Sequence, residues 1–227
     1  MCITKPLVSV LLCTKNNRKL LPLAIGSYLA QDYSNLELVA VIDGDDSTYD
    51  LVKDIPNVVT PYFDHNAQNL ATKRNIGIRA AHGDIIVHFD SDDWSGAERV
   101  SEQVKLLQLA SFKAVGYSSA FWYDMTRELT TYCTCGVWGA TLAYYRNYAL
   151  ENPWNEEVDV CEDIWFLNPL RILGQLGDMA GGENFVALAH GNNAQRPFGQ
   201  RGWEILANSK LPSEFKKVSK LIGIEIK

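Results

Sequence analysis

Asp90, Asp92 and Asp93 place three carboxylates within four residues, directly after the apolar run Ile85-Ile-Val-His-Phe89. Two unit charges about 4 Å apart repel by about 4 kcal/mol at an effective dielectric near 20. Carboxylates held that close need a cation, and oxygen-only ligands suit Mg²⁺ or Mn²⁺. Ions of the magnesium type take one or two carboxylates and complete their shell with substrate phosphates. The cluster therefore predicts a metal-bound diphosphate at the end of a strand. The same residue types also cap helices and form turns. Because residues 97–110 read as a helix, capping is the competing use.

The segments on either side say what must hold such a cluster. Leu7 to Cys13 is rich in β-formers and ends at Thr14-Lys-Asn-Asn17. Leu36 to Ile42 is a second buried strand and also ends in acid, at Asp43. Residues 57–63 read as a third strand and Asp84 to Phe89 as a fourth. Apolar residues at helical spacing fill Leu20 to Ala30 and Asn69 to Ala81. Strand–helix alternation with short connections predicts βαβ units and a parallel sheet. Ligands on such sheets bind beyond the C-terminal ends of the strands, where Thr14, Asp43 and Asp90 fall. After about residue 112 the pattern changes. Aromatic and β-branched residues from Gly116 to Trp138 predict antiparallel strands. A helix over Cys161 to Leu173, a strand over Phe185 to Leu188, a polar loop from His190 to Arg196 and a helix over Glu214 to Leu221 follow.

Composition narrows the class. The chain has 227 residues, 47% hydrophobic and 21% charged, with a net charge of −6. These values suit a globular protein, and the acidic balance without a basic stripe argues against nucleic-acid binding. Five cysteines are present; their odd number and spacing suggest no disulfide framework, and Cys133 and Cys135 read as small apolar core residues. Leu7 to Cys13 is far shorter than the roughly 20 residues of a spanning helix. With Lys15-Asn-Asn-Arg18 behind it and no cleavage site, it does not read as a signal peptide. The expectation is a cytoplasmic protein with at most peripheral membrane contact.

Six segments in order resemble one family. They are Val8-Ser-Val-Leu-Leu-Cys-Thr14-Lys-Asn-Asn, Val39-Ala-Val-Ile-Asp43, Lys73-Arg74-Asn75-Ile-Gly77 with Ala80-Ala-His-Gly83-Asp, Phe89-Asp90-Ser-Asp92-Asp93, Trp138-Gly139-Ala-Thr-Leu, and Glu162-Asp163. Together, over residues 7 to 195, they resemble the family 2 glycosyltransferases. The resemblance implies the GT-A fold, an α/β fold with a mostly parallel central sheet flanked by helices and a small antiparallel acceptor-side sheet. It also implies a single domain over 1–227, with a nucleotide-sugar half to about 112 and an acceptor half beyond. One motif departs: the usual acidic turn appears as Asp43-Gly44-Asp45-Asp46-Ser47, so its register lies between Asp43 and Asp45. Asp43 is chosen because it directly follows the apolar run.

The activity so implied is inverting transfer of a sugar from a nucleotide-diphosphate donor, a UDP-sugar by preference, to an acceptor hydroxyl. Thr14, Asn16 and Asp43 would lie at the base. Asp90 would touch the ribose or the metal, and Asp92 would ligate Mn²⁺ or Mg²⁺. His190 would complete the metal sphere or touch the diphosphate. Lys73 and Arg74 would reach the diphosphate or the sugar. Trp138, beside Gly139, would stack on a sugar face. Asp163, with Glu162 next to it, would take the acceptor proton. Asp93 suits the cap of the next helix equally. The acceptor stays open among glycan, lipid-linked sugar, protein and small molecule. A nucleotide-sugar binding protein or catalytically dead partner subunit is the first alternative. A sugar-phosphate nucleotidyltransferase is the second, although Thr14-Lys-Asn-Asn-Arg18 lacks the glycine-rich phosphate loop of that class. The same absence of glycine disfavours P-loop and NAD enzymes.

Overall fold

Uninterrupted runs of Val, Leu and Ile mark strands buried on both faces, the habit of parallel sheets covered by helices. The computed structural model describes residues 5–43, 46–61, 69–134, 136–159, 161–191 and 203–226. Its strands, in chain order, are β1 (Val8–Lys15), β2 (Leu36–Asp43), β3 (Val58–Val59), β4 (Ile85–Asp90), β5 (Trp94–Ser95), β6 (Ala114–Asp124), β7 (Leu129–Thr134), β8 (Ala143–Tyr145), β9 (Leu176–Ala180), β10 (Phe185–Ala189) and β11 (Trp203–Leu206). The helices are α1 (Leu21–Leu29), α2 (Leu70–Ala80), α3 (Arg99–Leu109), α4 (Arg146–Glu151), α5 (Glu162–Ile172) and α6 (Ser213–Leu221).

All eleven strands join one sheet, whose main path runs β11-β7-β6-β8-β4-β1-β2-β3. β1 pairs in parallel with β2 and β4, and β2 with β3. The register sets Cys13 beside Asp90 and Lys15 beside Asp43, so the predicted strand ends share one edge. β8 then runs antiparallel to both β4 and β6, joining the parallel strands to the β6–β7 hairpin. β6 also takes β9 and β10 in parallel.

Alternate residues of the central strands feed two cores. Val10, Leu12, Leu38 and Val87 pack with Leu21 of α1 and Val100 of α3. Leu11, Val39, Val41 and Ile86 pack with Ile78 of α2 and Phe166 of α5. α2 starts at Asn69, whose side chain accepts from the Thr72 N–H at 2.9 Å, the usual job of an N-cap residue. Gly77 lets that helix lie close on the sheet, since a Cβ there would overlap Leu11 and Val41. α5 starts after Cys161, which sits at φ 59° and ψ 29°, and its first turn carries Glu162 and Asp163, acids where the helix dipole favours them.

Several features differ from the sequence reading. Among the described residues the third strand covers only Val58 and Val59, and β5, β8, β9 and β11 have no counterpart in the sequence reading. Strands of two to five residues leave little or no periodicity to detect. Cys133 is buried and disulfide-bonded, not a free apolar residue; an odd cysteine count leaves room for a bridge. Cys2, Asp45, His65, Cys135 and residues 192–196 of the polar loop lie outside the described residues. Among the described residues, no helix is long and apolar enough to cross a membrane.

Glu37, near the start of β2, is the buried charge that ties α2 to the sheet. It accepts from Ser9 Oγ at 2.5 Å, the His82 N–H at 2.6 Å and the Gly83 N–H at 3.2 Å. Burial alone would push its carboxyl up; these hydrogen bonds outweigh burial and hold it below the usual 4.5. Its contribution to stability is therefore present at neutral pH and lost as pH falls through that lowered value. Glu37→Gln is expected to cost about 1–3 kcal/mol at pH 7. In urea titrations the gap to the wild type should narrow at pH 3. A gap independent of pH would contradict the assignment.

Candidate active site

β4 delivers Asp90 to the sheet edge, and the following turn brings Asp92 and Asp93 back beside it. The Asp93 N–H donates to the Asp90 carbonyl at 3.3 Å. One carboxylate oxygen from each acid lies within 4.8 Å of the others. Asp93 does not cap α3, whose N-cap is Glu98; its Oδ1 accepts from the Leu188 N–H of β10 at 2.9 Å. Burial, with the charge of Asp92 added, pushes the Asp90 carboxyl up to about 6. Burial, Asp92 and Asp90 push Asp93 well above its ordinary value. His190 Nε2 stands 2.8 Å from Asp92 Oδ2. Cys13, beside Asp90, lines the same cavity and is an inert thiol, its pKa raised to about 12 by burial.

The facing wall is the first turn of α5. Asp163 Oδ2 accepts from the Gly139 N–H at 2.9 Å. Glu162 is paired with Arg74 of α2 at 2.6 Å. The Arg74 guanidinium lies 4.3 Å over the Trp154 ring, and Trp154 stacks on Phe166 of α5 at 4.3 Å with 2° between planes. Burial would lower the pKa of Arg74, but Asp90 and Glu162 raise it. Gly139 has room for no side chain without pressure, because a Cβ would stand 3.0 Å from Arg74 Nη2 and 3.3 Å from Asp163 Cβ. Trp138 stacks against Trp122 of β6 at 6.3 Å. Between the two walls lies a cavity of about 540 Å³, a usual size for a small-molecule site. Arg74, Asp90, Asp92, Gly139, Glu162 and Asp163 all line it.

A second group sits at the ends of β1 and β2 and does not line that cavity. Asp43 is buried and paired with Lys73 at 3.1 Å and Lys15 at 3.4 Å. Thr14 is 2% exposed, and its Oγ1 has no hydrogen-bond partner among the described residues. Asn16 occupies the turn at φ 51° with its side chain exposed.

The family model described as "Glycosyl transferase family 2" matches residues 9–166. The chain belongs to glycosyltransferase family 2. An uncharacterized glycosyltransferase of Haemophilus influenzae is 32% identical over 108 residues, which cover 45% of this chain and 42% of that one. The chain thus spans less than half the length of that relative. Among solved structures, S. aureus TarS in complex with UDP-GlcNAc has a TM-score of 0.67 at 16% identity, over 95% of this chain and 65% of that one. The mannosyltransferase PcManGT of Pyrobaculum calidifontis, in complex with GDP-Man and Mn²⁺, has a TM-score of 0.65 at 17% identity, over 82% and 57%. Both likenesses show the GT-A fold expected from the sequence.

Three residues of this family 2 chain enter the site without having been singled out. Asn17, next to Asn16, reaches the acid turn, where its Nδ2 donates to Ser91 Oγ at 2.9 Å. Trp122 joins Trp138 on the cavity wall. Arg99 is fully buried beneath the acids and donates to Ser95 Oγ, the His88 carbonyl and the Ala140 carbonyl at 2.7, 2.7 and 2.8 Å. Burial lowers its pKa to about 10, so it stays charged at pH 7. An arginine at the head of α3 reads as a solvated helix residue in sequence, and nothing local signals that it turns inward.

Proposed function

We propose that this chain transfers a sugar from a UDP-sugar to an acceptor hydroxyl, with a divalent cation and with inversion at the anomeric carbon. The observation that carries the proposal is the pairing of two acidic groups across one cavity: the β4 cluster on one wall, Asp163 on the other. The cluster fits a hard cation. It offers three oxygen donors within 4.8 Å, and burial resists their joint ionisation unless a positive charge stands among them. Asp90 and Asp92 would hold Mn²⁺ or Mg²⁺, with His190 at Asp92. When bound, the cation supplies Lewis-acid neutralisation of the departing diphosphate.

The remaining roles belong to the chain itself. Thr14 and Asp43 receive the base, with Asn16 at the turn; Lys73 is committed to Asp43 and orients it. Arg74 holds Glu162, which leaves Asp163 as the base. The Gly139 N–H fixes one oxygen of Asp163, and the other takes the acceptor proton as the acceptor oxygen attacks the anomeric carbon. Trp138 and Trp122 offer an apolar platform to a sugar face. The UDP-GlcNAc bound by TarS supports the donor, and the Mn²⁺ that PcManGT holds with GDP-Man supports the ion. The halves divide near residue 112 within one domain, and the site of action is cytoplasmic, with peripheral contact to any membrane-borne acceptor.

Direct displacement predicts the stereochemistry. With an α-linked UDP-sugar and water as acceptor, at enzyme concentrations that outrun mutarotation, proton NMR should show the β-anomer released first. Release of the α-anomer would overturn the single-displacement reading.

A further inference from the structure

His88 is the one polar side chain in the apolar run before Asp90, and it is 1% exposed. Its Nδ1 lies 3.0 Å from the Gly139 carbonyl and its Nε2 lies 2.7 Å from Tyr144 Oη. A carbonyl oxygen only accepts, so Nδ1 carries a proton. Trp154 Nε1–H points at Tyr144 Oη at 3.4 Å and only donates, which turns the tyrosine O–H toward Nε2. The imidazole is thus a fixed tautomer, held from behind by Tyr144 and Trp154. Its target is the residue whose own N–H binds Asp163 Oδ2 at 2.9 Å. Arg99 pins the next carbonyl, Ala140, to the same strand.

We propose that His88 is a positioning residue: its Nδ1–H anchors Gly139 and so sets the aim of the Asp163 carboxylate. This rests on the reading of Asp163 as the base. An apolar residue of similar size would fill the space but would leave the Gly139 carbonyl with only the long 3.4 Å bond from the Leu142 N–H, so Gly139 would be held less firmly. Small misplacement of a catalytic group is expensive; about 1 Å can lower turnover roughly 100-fold. Donor affinity should be untouched, because His88 contacts neither the acid cluster's oxygens nor the β1–β2 group.

The test compares three substitutions with UDP-sugar turnover and Mn²⁺-dependent UDP binding as readouts. His88→Asn keeps a donor near the Nδ1 position. His88→Gln moves its amide toward the Nε2 position, and His88→Leu keeps only bulk. The expected result is a fall in kcat of about ten- to a hundred-fold for Gln and Leu, an unchanged KM for the donor, and recovery of most of the loss in Asn. If Leu does not fold, the Asn–Gln pair decides. Equal losses in Asn and Gln, or a rise in KM in place of the fall in kcat, would overturn the proposal. A parent Asp163→Asn control separates the two readings. If it keeps turnover, the base assignment falls and the His88 role with it; if it loses turnover while Asn and Gln behave alike, only His88 falls. In the Asp163→Asn background, His88→Gln should cause no further loss, since groups acting as a unit are not additive.

Discussion

Asp163→Asn lowers sugar transfer by about a hundred- to ten-thousand-fold and leaves Mn²⁺-dependent nucleotide binding intact. That range is what a positioned general base contributes. The substitution changes one carboxylate oxygen into an amide nitrogen, and the remaining oxygen can still accept from the Gly139 N–H at 2.9 Å. The α5 turn is also held independently, by the Arg74–Glu162 pair at 2.6 Å and by the Trp154–Phe166 stack. Stability should therefore stay close to wild type in a thermal melt. Loss of turnover with full nucleotide affinity fits a base. Turnover within threefold of wild type would assign the proton to another group. Loss of nucleotide binding as well would mean that α5 organises the donor site instead of the acceptor.

Asp92→Asn produces a different and equally diagnostic pattern. Asp92 stands in the acid cluster next to Asp90 and Asp93, with His190 at 2.8 Å. Two charges near 5 Å repel by about 3 kcal/mol at an effective dielectric of 20. Partial protonation of the buried neighbours relieves part of this, so removing one charge should stabilise the metal-free protein by about 1 kcal/mol. The same change removes a ligand oxygen's charge and should weaken Mn²⁺ binding at least tenfold, with transfer falling about 100-fold. A melt without metal and a melt with Mn²⁺ and UDP read both effects. The variant should melt at or above wild type in EDTA and show little shift on adding ligand. A variant less stable than wild type in EDTA, with its Mn²⁺ shift intact, would make the cluster a structural turn and not an ion site.

Much of this arrangement was visible in the residues themselves. The runs that became β1, β2 and β4 are apolar apart from Ser9, Glu37 and His88 until their acidic or polar ends, and α2 and α5 carry apolar residues at helical spacing. An acid cluster at the end of such a strand is a local pattern, and so is Glu162-Asp163 at a helix start. The partners of those acids are not local. Arg99 turns inward because three acceptors, from Ser95, His88 and Ala140, meet under the sheet. His88 stands alone among apolar neighbours in the sequence, and its tie to Gly139 spans 51 residues. Trp122 and Trp138 meet only because β6 and the loop before β8 converge. Glu162 and Asp163 are neighbours in sequence, and only the fold sets Arg74 of α2 against Glu162. In each case the sequence states what a residue can do, and the fold decides which partner it meets.

The most direct test of the account is calorimetric titration of UDP into the protein with Mn²⁺ and again in EDTA, with GDP as the comparison. The account predicts UDP binding that weakens at least tenfold in EDTA, and that falls to this metal-free level even with Mn²⁺ when Asp92 is replaced by Asn. Equal UDP affinity with and without metal, or no binding in a folded sample, would contradict a cation-held nucleotide diphosphate at the β4 acids.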